Sequence, residues 1–135
     1  MPSEYERLGA SSVDGQSRRV PVPQQALNME LLKLDGEAYW GVRESDDLVV
    51  VSMLYDPIQD DPEIEFLTST VVEDDEDRLV TVPDAVFDHW DDVAGGGTAV
   101  TGGDELTFVT TADLQENNQM LVLPEMQVED VLGES

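Results

Sequence analysis

The chain states one short phrase twice. Residues 18–23 read Arg-Arg-Val-Pro-Val-Pro, and sixty residues later residues 78–83 read Arg-Leu-Val-Thr-Val-Pro. In each copy two valines alternate with polar or small neighbours, the period-two pattern of a half-buried strand. A proline stops each strand, because it has no N–H to give a sheet and suits the first turn of a helix. A helix-like run follows both times. The repetition therefore predicts two related halves, with Val20 and Val80 in equivalent places about an approximate twofold axis. A unit of ~50 residues buries too little surface to fold alone, so the halves are expected to share one core.

The rest of the chain fits this reading. Residues 5–13 are weakly strand-like, and a turn at 14–17, with Asp14 and Gly15 supplying the turn chemistry, precedes the first phrase. Leu27, Leu31 and Leu34 lie on one face of a helix predicted over 24–34, with Gly36 as its stop. Apolar runs at 38–42 and 48–53 read as a hairpin around the polar turn 44–47, and 56–61 as an acidic loop. The second pass gives a strand at 64–72, an acidic turn at 73–77, the repeated strand at 79–82 and a helix over 84–93. That helix carries Val86, Phe87, Trp90 and Val93 on one face, with Asp84 as its N-terminal cap. A glycine-rich stop at 94–97 leads to a second hairpin, 98–100 with 106–110.

The copies align in order. Val20, Val22 and Pro23 fall on Val80, Val82 and Pro83; Gly36 and Ala38 on Gly97 and Ala99; Asp47, Leu48 and Val51 on Glu105, Leu106 and Val109. Val72-Glu73-Asp74 returns as Val128-Glu129-Asp130. The division is a first unit at 5–54, an acidic linker at 55–63, a second unit at 64–111 and a tail at 112–135. The tail has two readings: an extra edge strand, or an arm that binds a protein partner.

Charge narrows the setting. There are 31 acidic residues against 6 basic ones, a formal net charge of −25, and Lys33 is the single lysine. Such a surface repels itself unless salt screens it, and the Debye length falls to about 3 Å at molar salt. The composition points to a salt-rich cytoplasm. Without cysteine there is no disulfide framework or thiolate metal site. No secretory leader pattern opens the chain, and no apolar run approaches the ~20 residues that span a bilayer.

The order strand, turn, Arg-x-Val-x-Val-Pro, short helix, glycine, hairpin resembles the AbrB-type swapped-hairpin domain, shared with MazE-type antitoxins and MraZ-like regulators. The residues that carry the resemblance are Arg18, Val20, Val22, Pro23, Leu27 and Gly36, then Arg78, Val80, Val82, Pro83, Phe87 and Gly97. The resemblance implies a mainly β fold with two short helices, a swapped-hairpin barrel closed within one chain as a pseudo-dimer. It implies a DNA-binding transcriptional regulator, monomeric or homodimeric, with double-stranded DNA as partner. The arginines at its contact positions are Arg18, Arg19 and Arg78; Lys33 and Arg43 are further candidate DNA-contacting cations. The alternative is an antitoxin-like or adaptor module on the same fold without DNA binding.

For Arg18 and Arg19 a turn or ion-pair role stands beside DNA contact. Arg78 follows the unbroken acidic run 73–77, which favours a structural role for it. The deciding quantity is local charge: arginines gathered on one face favour regulation, and carboxylates coating that face favour the interaction module. His89 lacks Cys or His company, and neither acidic run has the spacing of a calcium loop. No catalytic constellation, metal site or cofactor motif is expected.

Overall fold

The computed structural model describes residues 5–132, apart from residues 17, 75, 77, 97–99 and 101. The first half supplies strands β1 (Glu6–Ser12), β2 (Arg19–Pro21), β3 (Glu37–Arg43) and β4 (Leu48–Ser52), with helices α1 (Gln24–Asn28) and α2 (Asp56–Gln59). The second supplies β5 (Ile64–Val71), β6 (Leu79–Thr81), β7 (Glu105–Thr110) and β8 (Gln119–Pro124), with α3 (Asp84–Val93), α4 (Ala112–Glu116) and α5 (Glu125–Leu132). The protein is mainly β, and its strand pairs are antiparallel. Six strands form an open sheet in the order β1-β7-β8-β4-β3-β5, while β2 and β6 form a separate ribbon. Because β1 and β5 end the sheet without meeting, the expected closed barrel is not what these strands form.

The order reads the same from both ends once β1 is matched to β5, β3 to β7 and β4 to β8. The registers agree residue by residue. Val20 faces Val80 in the ribbon, and Val50 faces Leu121 between β4 and β8. An approximate twofold axis passes through both pairs. About it, Val49↔Val122 exchanges with Val51↔Met120. The edge strands follow suit: β1 and β5 are each interrupted by a register shift, at Leu8 and at Leu67. Loop hydrogen bonds repeat as well. Val22 N–H donates to the Arg18-equivalent carbonyl of Arg78, and Val82 N–H to that of Arg18, both at 2.9 Å.

This symmetry corrects part of the sequence alignment. Strand β7 is the counterpart of β3, so Leu106 matches Ala38, and Leu48 and Val51 have their counterparts in β8. The second hairpin is thus β7–β8, and it draws its second strand from the stretch read as a tail. Strand β8 lies inside the sheet between β7 and β4, neither an edge nor a free arm. Of the hairpin predicted at 98–100, residues 98 and 99 lie outside the described residues, as does Gly97. The likeness of 72–74 to 128–130 has no structural counterpart, since Val72 bridges Val80 while Val128 sits in α5.

Helix α1 is shorter than its leucine spacing predicts. It ends at Asn28 because Glu30 turns left-handed (φ 59°) and closes a Schellman motif: Leu31 N–H donates to the Ala26 carbonyl and Glu30 N–H to that of Leu27. The stop therefore comes before Gly36. In α3 the same motif closes on Gly95 (φ 92°) with Gly96. Asp84 is the first helical residue of α3 and Pro83 the cap, so Asp84 is not the capping side chain. The acidic stretch at 56 becomes the helical turn α2, favoured by Asp56 and a proline in its first turn. Helices α4 and α5 fall where a tail was expected.

Both faces of the sheet are covered. Val20, Val80, Trp40, Phe108, Val49, Val51, Met120, Val122 and Trp90 pack on the ribbon side; Leu48, Val50, Ile58, Leu121 and Leu123 pack on the other. Strands β4 and β8 alternate between these clusters, which is why both read as unbroken apolar runs. Trp40 Nε1–H donates to Thr70 Oγ1 at 2.8 Å, and Thr70 Oγ1–H to the Thr81 carbonyl at 2.7 Å. That relay ties β3, β5 and β6 together under the ribbon.

Candidate nucleic-acid interface

The ribbon brings Arg18, Arg19 and Arg78 to one region. Arg18 and Arg78 precede β2 and β6 as twofold counterparts, and both hold a left-handed backbone, φ 55° and 50°. Side chains longer than glycine adopt this conformation rarely, at a cost of order 1 kcal/mol. It aims each carbonyl at the opposite half, where Val82 and Val22 donate to it, so cross-axis hydrogen bonds hold the strain.

The guanidinium groups also reach across the axis. Arg18 Nη1 donates to Asp84 Oδ1 at 2.6 Å, and Arg78 Nη1 donates to Gln24 Oε1. Asp84 and Gln24 are the first residues of α3 and α1, so each arginine binds the start of the other half's helix. Arg18 also lies 4.8 Å from the centroid of the Phe87 ring, within cation–π range. Arg19 Nη1 donates to Glu73 Oε2 at 2.5 Å. The acidic turn before Arg78 thus holds an arginine of the other half.

The other two candidate cations divide. Lys33 is exposed and shares a hollow with Arg78. Arg43 ends β3 at the side remote from the ribbon, about 20 Å along a seven-residue strand. Its guanidinium binds Asp46 at 2.6 Å, and that hydrogen bond, ahead of an opposing desolvation, raises its pKa. The structure therefore groups Arg18, Arg19, Arg78 and Lys33, and leaves Arg43 out.

The Arg18 and Asp84 side chains are 50% and 82% exposed, so their ion pair contributes only ~0–1 kcal/mol, and less in molar salt. Replacing Asp84 by Asn is expected to shift the unfolding free energy by under about 1 kcal/mol, measured by urea titration in molar KCl. A loss of several kcal/mol would show that the arginine is a structural clamp.

Two features escaped the sequence reading. His89 Nε2–H donates to the Asp47 carbonyl at 2.8 Å, tying α3 to the β3–β4 turn. Tyr39, Tyr55 and Phe66 form an aromatic trio with centroids 5.2–6.4 Å apart, in tilted and edge contacts. Tyr55, Phe66 and nearby Leu54 are 38%, 37% and 41% exposed. The signal was present: Tyr39 adjoins Trp40 in a strand, and adjacent strand residues face opposite sides.

Among the described residues no three His, Cys, Asp or Glu side chains gather as a metal site, and no helix is long and apolar enough to cross a membrane. No family model, curated protein or solved structure matches this chain.

Proposed function

We propose that this chain is a non-catalytic interaction module, antitoxin-like or adaptor-like, built as a single-chain relative of the AbrB-type swapped hairpin. Support for the fold kinship lies in the exchange of strands: β1 of the first half completes the β7–β8 hairpin of the second, and β5 completes β3–β4. A salt-rich cytoplasm is its proposed setting. The observation that carries the function is local charge on the arginine face. Asp84 and Glu73 sit on Arg18 and Arg19 there, so a phosphate backbone would meet a carboxylate at both of these arginines.

The contact surface of this reading is the outer patch of Leu54, Tyr55 and Phe66, where exposed aromatic side chains supply interface anchors. Glu37 is exposed beside this patch, two residues from Tyr39 on the same face of β3. Its occupant is a polypeptide segment with apolar anchors flanked by Lys or Arg. A displayed peptide library selected in molar KCl should enrich such sequences, and the double variant Tyr55→Ala, Phe66→Ala should lose them. Equal enrichment on the double variant overturns the reading.

DNA-binding regulation is the second reading, favoured by Arg18 and Arg78 standing as a symmetric pair about the axis. Their exposed partners are weakly held, and two-fold arginines suit a palindromic site. Selection of genomic fragments in high KCl decides between the two. A recovered sequence whose binding fails in Arg18→Gln, Arg78→Gln would establish this reading over the first.

A further inference from the structure

The approximate twofold relates two hollows that differ in one telling way. Around Arg18 the hollow is small, about 220 Å³: Phe87 fills it beneath the guanidinium, and the backbones of Gly15 and Gly102 close over it. A Cβ on Gly102 would stand 2.4 Å from Gly15 Cα, so only glycine fits that crossing. The counterpart around Arg78 is about 570 Å³. Leu27 stands there in place of Phe87, and Leu34 in place of Gly102. The smaller Leu27 side chain leaves the space open.

The larger hollow has a divided lining. Leu27, Leu34 and Met53 make an apolar wall. Arg78 and Lys33, two of the six cations in a chain of net charge −25, both line its polar side, with Glu30 the carboxylate among the described lining residues. Gln24, which accepts a hydrogen bond from Arg78, lines it too and fixes the guanidinium there. Two cations thus stand beside an apolar wall.

We propose that this hollow binds an amphipathic monocarboxylate, with the carboxylate on Arg78 and Lys33 and an aliphatic tail against Leu27, Leu34 and Met53. Charge-assisted donors orient the head, and the apolar wall selects for a tail. In molar salt the charge contacts are screened, so tail burial carries the larger share of affinity. The site is independent of the protein-partner reading, since it does not use the aromatic patch; it shares Arg78 and Lys33 with the DNA reading, and Leu27→Phe tests it without touching either.

Octanoate is the probe, titrated calorimetrically into the full chain in molar KCl, beside octanol and a short peptide ending in leucine with a free or an amidated C-terminus. Saturable binding of octanoate or of the free-carboxylate peptide is expected, and the tighter of the two identifies a free acid or a chain terminus as the source. Octanol and the amidated peptide should bind at least ~3-fold more weakly. Leu27→Phe rebuilds the filled state of the other half and should weaken binding ~10-fold or more while leaving the circular dichroism unchanged. Lys33→Gln, an exposed change, should weaken it ~3-fold and keeps the test valid if Leu27→Phe misfolds. Absence of binding by either carboxylate, equal binding of octanol, or unchanged affinity in both variants would overturn the proposal.

Discussion

A chain ending at residue 117 should fail to fold. Met120, Leu121, Val122 and Leu123 of β8 are each fully buried, and full burial of such a side chain contributes about 1.5–3 kcal/mol. Together these four are worth ~6–12 kcal/mol, comparable to the whole ~5–15 kcal/mol stability of an ordinary domain. The loss is also topological. Without β8, the sheet order leaves β4 and β7 with an unpaired edge each at the centre of the molecule. The check is far-UV circular dichroism and amide shift dispersion of the truncated chain in molar KCl. A cooperative unfolding transition from it would mean that β8 is dispensable and that the two halves do not share their core as described.

Transfer to dilute buffer should also destabilise the protein, by a smaller amount. A net charge of −25 is screened over about 3 Å at molar salt but over about 10 Å at 0.1 M. Compaction then brings carboxylates within range of one another, and self-repulsion opposes folding. The ion pairs Arg18–Asp84, Arg19–Glu73 and Arg43–Asp46 strengthen as salt falls, but at ~0–1 kcal/mol each they are too few to reverse the sign. A drop of ~3 kcal/mol, or about 10 °C in Tm, is expected between molar and 0.1 M KCl. Sucrose at matched osmolarity separates the causes: it stabilises by exclusion from the surface and leaves charges unscreened. Stability that does not fall as KCl is diluted at constant sucrose would rule out repulsion as the cause.

The aromatic patch and the arginine face belong to different levels of legibility. Tyr39 was readable as the outward neighbour of Trp40, whereas its meeting with Tyr55 and Phe66 required α2 and β5 to be placed. The grouping of Arg18, Arg19 and Arg78 follows from the repeated phrase. Their carboxylate partners come from the opposite half, and no local pattern in the sequence specifies that crossing.

From its sequence alone the chain declared two related halves, because period-two valines and a terminating proline are local properties that survive repetition. It declared a strongly acidic chain, since charge is a sum over residues. Which strands are neighbours was decided only in three dimensions. Leu48 and Val51 look like Leu106 and Val109 as strings, yet β7 answers to β3, because hairpins are matched by long-range registers about the axis. The apolar run in β8 carries no period to place it, and only burial on both faces makes it central. Whether Leu27 or Phe87 leaves a hollow was likewise settled by what packs around each.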